Sequence, residues 1–192
     1  MDIKKLGNSL LIFTITKLIE ILGIFIFCFG ILLFISLISY SPSDPNFIFP
    51  KNTEIKNILG FQGSYMADLF FQSSGLVSFL IPFTFIFTGI NIFRRKEAFL
   101  LIENTFFITL YTLIGTLFFS FYYKNSFSFY INGNGGFIGN YLNETFLLNI
   151  ILYYKDFFYY FFLILISSLF LKSLNFSIKG FLNFLKNIKK LV

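Results

Sequence analysis

No histidine and no tryptophan occur among the 192 residues, cysteine occurs once, and alanine stands only at Ala67 and Ala98. Without histidine, Ser-His and Cys-His catalysis and imidazole metal sites are excluded. The single Cys28 lies inside an apolar run, so it forms neither an intrachain disulfide nor a metal site and reads as a lipid-facing or packing residue. No glycine-rich phosphate loop ending in Gly-Lys-Ser/Thr can be traced, and no cofactor is expected. Charge is scarce too: 12% of residues are charged, against about 25% in ordinary soluble domains. A water-soluble fold could not hide the remaining apolar surface, whereas a bilayer accepts it.

What is abundant is hydrocarbon. Hydrophobic residues make up 56% of the chain, 33 of them Phe and 11 Tyr, and mean hydropathy is +0.78. Phe, Ile, Asn and Lys are the residues favoured by AT-rich genomes, so the Phe runs read as filling for lipid-facing positions. A base-stacking surface would interleave its rings with basic residues, and these runs do not. The apolar pattern predicts an all-α integral membrane protein with four transmembrane helices at about 18–39, 74–93, 104–122 and 157–174. The first of these is about 33 Å long at helical rise, enough for a hydrocarbon core. A cytoplasmic segment, 1–17, precedes the four-helix region 18–174, and a basic cytoplasmic tail, 175–192, follows. Pro42, Pro45 and Pro50 mark residues 40–62 as loop. Pro82 predicts a kink in the second helix.

Eleven basic residues (Lys4, Lys5, Lys17, Arg94, Arg95, Lys96, Lys172, Lys179, Lys186, Lys189, Lys190) fall on one side of these helices, and four (Lys51, Lys56, Lys124, Lys155) on the other. The positive-inside bias therefore puts both termini and the central loop in the cytoplasm. The net charge of +6 is a topology signal on this reading, and the basic tail can also touch anionic headgroups. Glu20 and Glu103 sit near the cytoplasmic ends of helices one and three. The centre of the membrane carries no charge, which counts against proton pumping and ion-coupled transport.

An internal repeat stands out. Gly60, Phe61, Gly63, Tyr65, Met66, Asp68 and Phe70 recur 76 residues later as Gly136, Phe137, Gly139, Tyr141, Leu142, Glu144 and Phe146. Each copy reads G-F-x-G-x-Y followed by about two helical turns. Phe61, Met66, Leu69 and Phe70, and then Phe137, Leu142, Phe146 and Ile150, can gather on one face, with Asp68 and Glu144 toward water. That is the pattern of a short periplasmic amphipathic helix at the outer membrane surface. The glycines permit a tight turn or close packing. The expected architecture is two tandem hairpin-like units of helix, outer loop, surface helix and helix.

The stretch SYSPSDP from Ser39 to Pro45, directly after the first span, resembles the start of the periplasmic loop in bacterial DNA translocases of the FtsK/SpoIIIE family. The segment from Leu59 to Phe83, with its Gly-x-x-Gly, Ala-Asp-Leu and a glycine opening helix two, looks like a second motif of that family. The GGFIGNYL from Gly135 to Leu142 is similar to a third, and the likeness covers about residues 15–175. It implies a four-helix anchor at the N-terminus of a longer protein that carries a linker and a hexameric ATP-driven motor. The anchor would hold the translocase at the division septum in the inner membrane. Its partners would be the lipid bilayer, other division proteins and copies of itself, a hexamer by the resemblance. DNA would be met only through a motor that these residues do not include, so the chain is expected to be an anchor domain or a separately encoded membrane half without enzymatic activity. Ser43, Asp44 and Asn46 are the candidate partner-contact residues, although Pro42 and Pro45 also fit a rigid turn in which Asp44 caps the backbone that follows. A small channel, a carrier or a generic membrane scaffold is the alternative.

Overall fold

A computed structural model describes residues 3–45, 54–124, 132–145 and 147–175. The described residues are helical, without strands: α1 Ile3–Ile38, α2 Gly60–Ser74, α3 Leu80–Arg95, α4 Leu100–Tyr122, α5 Gly136–Asn143, α6 Leu147–Tyr153 and α7 Lys155–Ser173. A 3₁₀ segment, Gly75–Phe79, joins α2 to α3. Among the described residues, four stretches are long and apolar enough to cross a membrane: Asn8–Ile38, Gly60–Arg95, Leu100–Tyr122 and Lys155–Ser173. We call the end of the bundle that holds Arg94, Arg95 and Lys96 the basic end, and the opposite one the loop end.

The tandem arrangement is visible in the packing. In the first unit α1 packs on α2 and on α3; in the second, α4 packs on α5 and on α7. The α1–α3 seam is built from glycine. A Cβ on Gly23 would stand 2.8 Å from the Phe93 nitrogen, and one on Gly89 2.5 Å from the Phe27 nitrogen, so the two backbones touch. Small residues at such a seam let dispersion contacts hold helices together where lipid supplies no hydrophobic drive. Phe29 and Phe85 add an edge-to-face ring pair at 5.3 Å. At the basic end of the seam Glu20 binds Lys96 Nζ at 2.6 Å and Lys17 Nζ at 2.9 Å, so this acid is paired where α1 passes the end of α3.

Two expectations change here. Pro82 does not kink a helix, because it is the third residue of α3. In a first turn the missing N–H has no intrahelical partner to lose. The break lies seven residues earlier, at Gly75, where α2 ends. α1 also starts well before residue 18, at Ile3, and runs through Gly7, Asn8 and Ser9, with no proline to stop it. Its side chains from Leu10 to Ile15 are exposed, beyond the point where Glu20 meets Lys96.

The core lies between the units. Leu33 and Leu37 of α1 meet Ala67 and Phe71 of α2, Val77, Ile81 of α3 and Tyr111 of α4. A second cluster joins Leu117 and Phe118 of α4 to Ile151 of α6 and Phe162 of α7. α7 is the least covered span: only Phe162 and Ser173 along it are buried.

Candidate functional site

The residues singled out by the repeat and by the Ser-Tyr-Ser-Pro-Ser-Asp-Pro stretch converge at the loop end. Asp44 is 3% exposed. Its carboxylate accepts the Lys56 N–H at 2.9 Å and the Asn57 N–H at 2.8 Å. Those two backbone donors precede α2, so one side chain clips the far end of the first loop to its near end. Asn57 in turn donates from Nδ2 to the Ser36 carbonyl at 2.9 Å, and Ser36 Oγ donates to the Gly63 carbonyl at 2.5 Å. Ser64 Oγ donates to the Pro45 carbonyl at 2.8 Å, and the Ile58 N–H reaches Ser39 Oγ at 3.2 Å. The motif thus works as a hub that ties the last turn of α1, the loop and the start of α2 into one unit.

This corrects the expectation that Asp44 is available to partners, because the side chain is buried and both of its oxygens are committed to backbone donors. Ser43 does face outward, with its hydroxyl 2.8 Å from Ser41 Oγ. Asn46 lies outside the described residues.

The repeat glycines divide into two physical types. Gly60 and Gly136 open α2 and α5 with φ of +65° and +63°, the left-handed region in which a side chain is strained. Gly63 and Gly139, one turn on, are close approaches. A Cβ on Gly63 would run into Asn57 Oδ1 and stand 2.6 Å from Leu59 Cβ, while one on Gly139 would run into the Thr116 carbonyl of α4. The next residue in each copy ties its helix back: Ser64 to Pro45 as above, and Asn140 from Nδ2 to the Asn132 carbonyl at 2.8 Å, with its Oδ1 accepting from Ser120 Oγ at 3.1 Å. Each helix-opening segment is therefore locked onto the span before it.

The two units also lock onto each other. The Leu76 N–H donates to the Asn134 carbonyl at 2.9 Å. Asn132 Nδ2 reaches Gln72 Oε1 at 3.1 Å. A Cβ on Gly136 would lie 2.6 Å from the Ser73 carbonyl oxygen and 2.7 Å from the Gly75 nitrogen. Backbone meets backbone where α2 ends and α5 begins.

Of the apolar face that the repeat suggested for α2, Met66 and Phe70 pack partly buried against the core, but the fully buried face is a different one. It consists of Gly63, Ser64, Ala67, Asp68, Phe71 and Ser74, whereas Leu69 is 51% exposed. Asp68 lies inside, with Tyr40 Oη 3.3 Å and Gln72 Nε2 3.4 Å from its Oδ1, because the turn from Ser64 to Phe71 points at the end of α1. Glu144 does face outward, and so do Phe137 and Tyr141, stacked on each other with centroids 6.5 Å apart. Phe146 lies outside the described residues. Where glycine and serine make the interface, large apolar side chains are left for lipid or for partners. Composition alone cannot reveal that inversion.

Residues 17–185 match the family model described as the 4TM region of DNA translocase FtsK/SpoIIIE. The chain belongs to that family. Relatives named DNA translocase FtsK are 30% identical over 111 residues in Rickettsia prowazekii (strain Madrid E), covering 55% of this chain and 14% of the relative. In Rickettsia typhi (strain ATCC VR-144 / Wilmington) the relative is 31% identical over 87 residues, 45% of this chain and 12% of that protein. In Rickettsia bellii (strain RML369-C) it is 35% identical over 60 residues, 31% and 8%. The chain thus spans at most about a seventh of the length of these FtsK relatives, and the FtsK/SpoIIIE match is to the membrane region. No solved structure matches it. With its four spans, the chain is a multi-pass inner-membrane protein of the FtsK type. Among the described residues no group of three His, Cys, Asp or Glu side chains could hold a metal ion.

Proposed function

We propose that the chain is the membrane anchor module of an FtsK-type DNA translocase, tethering it at the division septum for cell division and chromosome segregation. The observation that carries this reading is the family match across nearly all of a four-span bundle, residues 17–185. Both termini lie in the cytoplasm, as the clustering of Arg94, Arg95 and Lys96 at one end of the bundle supports. The partners are the bilayer, other division proteins and further copies of the chain, six by the family resemblance. DNA is met only through a motor, which is no part of these residues, and the anchor itself catalyses nothing.

The contact surface for division proteins is the loop end, where Ser43, Glu54 and Lys56 face outward around the buried Asp44 hub. Fluorescent fusions in dividing cells test the reading. The wild-type chain should form a midcell band. Substituting Ser43, Asn46, Glu54 and Lys56 together by Ala should weaken that band while leaving insertion intact, because the ties to Asp44 come from the backbone of Lys56 and Asn57. A wild-type chain spread evenly around the envelope of dividing cells overturns the anchor reading in favour of a channel, a carrier or a generic scaffold.

A further inference from the structure

Neutral polar side chains from three helices gather at the end of α7, the least buried span. Asn104 of α4 donates from Nδ2 to Thr88 Oγ1 of α3 at 2.8 Å and to Asn175 Oδ1 at 3.1 Å. Asn175 returns a bond from its own Nδ2 to Asn104 Oδ1 at 3.3 Å, so the two amides pair reciprocally. Asn91 of α3 donates to Asn175 Oδ1 and to the Leu174 carbonyl, both at 3.3 Å. One turn deeper, Thr84 Oγ1 lies 2.9 Å from Ser173 Oγ and 3.1 Å from Tyr111 Oη. Thr84, Thr88, Asn104, Tyr111 and Ser173 are each at most 1% exposed.

The backbone is shaped for this arrangement. Asn175 has φ +52°, the left-handed conformation that stops a helix and that Asn tolerates better than most residues. Its N–H closes the last turn on the Lys172 carbonyl at 2.8 Å. The turn swings the Asn175 amide away from the helix axis and in between α3 and α4. Contacts along the rest of α7 are mostly side chains on one flank of α4, and apolar packing against lipid-like surroundings gives little directional hold.

We propose that Asn104, Asn175, Asn91 and Thr88 form a clasp that fastens the exit of α7 to the α3–α4 hairpin, so that tension on the chain beyond Asn175 is borne by three helices instead of peeling α7 away alone. Its use in the cell rests on the anchor reading, in which a DNA-pulling motor lies on that side; its existence does not. Asn104 is 1% exposed, so its amide has little water to exchange with, and force must break the pair before α7 can leave.

Single-molecule pulling of the full chain in bicelles, with handles at both termini, tests the clasp. At constant tension Asn104→Ala and Asn175→Gly should each speed the first extraction step from the C-terminal side roughly three- to tenfold. The double variant should be no faster than the faster single, since both remove the same pair. Asn175→Gly keeps the left-handed turn and the fold while deleting only the amide, and Thr109→Ala, a lipid-facing hydroxyl bonded within its own helix, is the control. An unchanged first step in Asn104→Ala and Asn175→Gly, or multiplicative effects in the double, overturns the clasp. Midcell placement bears on the anchor reading alone and tension kinetics on the clasp alone, so the two fail separately.

Discussion

Gly60 and Gly136 offer a controlled comparison, because they open equivalent helices at nearly the same φ, +65° and +63°, in different surroundings. A Cβ at Gly60 meets nothing within 4 Å, whereas one at Gly136 meets the Ser73 carbonyl at 2.6 Å and the Gly75 nitrogen at 2.7 Å. Alanine at either site carries the left-handed strain, about 1–2 kcal/mol. At Gly136 it also forces apart two stretches of backbone. Backbone cannot swing aside as a side-chain tip can, and overpacking adds about 1–3 kcal/mol. Gly60→Ala should therefore cost about 1–2 kcal/mol and Gly136→Ala about 2–5 kcal/mol. Reversible SDS titration of the purified chain in mixed micelles, followed by tyrosine fluorescence, measures both. Equal losses at the two sites would refute the claim that the units meet backbone to backbone, and a mild Gly136→Ala would remove the junction altogether.

Asp44→Ala removes the acceptor of the Lys56 N–H and of the N–H of the buried Asn57, and should destabilise the chain by about 1–3 kcal/mol through the Asn57 donor, read in the same SDS titration; a neutral outcome would mean that the hub does not form. Glu20→Gln should leave the stability nearly unchanged in the same titration, since its partner Lys96 is partly solvated and such pairs contribute little; a clear loss would place the pair in a much drier setting. For topology, single cysteines at Ser43 and Glu144, in a Cys28→Ser background, should react with an impermeant thiol reagent from outside, and cysteines at Asn8 and Asn183 should not; labelling of Asn183 from outside would refute the orientation.

The fold was legible in sequence where hydrocarbon length decides structure. Uninterrupted apolar runs have one cheap solution in lipid, a helix, and the spans follow from that alone. The repeat was legible because identical turn chemistry needs identical residues: Gly60 and Gly136 take the same positive φ. What could not be read was the direction of each face. Asp68 belongs to the buried face and Leu69 to the exposed one, because Gly63, Ser64 and Ala67 let α2 approach α1 closely. Hydropathy assumes that apolar residues seek the inside, and that rule weakens once the surroundings are lipid. Asp44 shows the same limit at the candidate contact surface. Its donors, Lys56 and Asn57, stand twelve and thirteen residues away and are backbone groups, so no spacing rule marks them. The clasp was missed for a related reason: Asn104 and Asn175 are 71 residues apart, and single neutral amides near helix ends look like ordinary interfacial residues.

The distribution of polar ties also bears on whether this bundle moves. A carrier alternates between two packings, so it needs an interface that can slide and an ionisable or ligand-binding group at its centre. Here Asp44 and Asp68 sit at the loop end, held by backbone and side-chain donors, with Asp156 in the first turn of α7, while Glu20, held by two lysines, and Glu103 in the first turn of α4 lie toward the basic end. Between them the α1–α3 seam is glycine against backbone, and shifting either helix by a turn would set Phe27 or Phe93 where Gly23 or Gly89 now stands against the facing main chain. At the loop end the two units share a backbone junction through Leu76 and Asn134, and at the basic end the exit of α7 is tied to α3 and α4. A bundle cross-tied at both ends and keyed in the middle has no inexpensive second arrangement. Rigidity of that kind suits an object that must transmit a pull without changing shape, which is the demand that a translocase would place on its anchor.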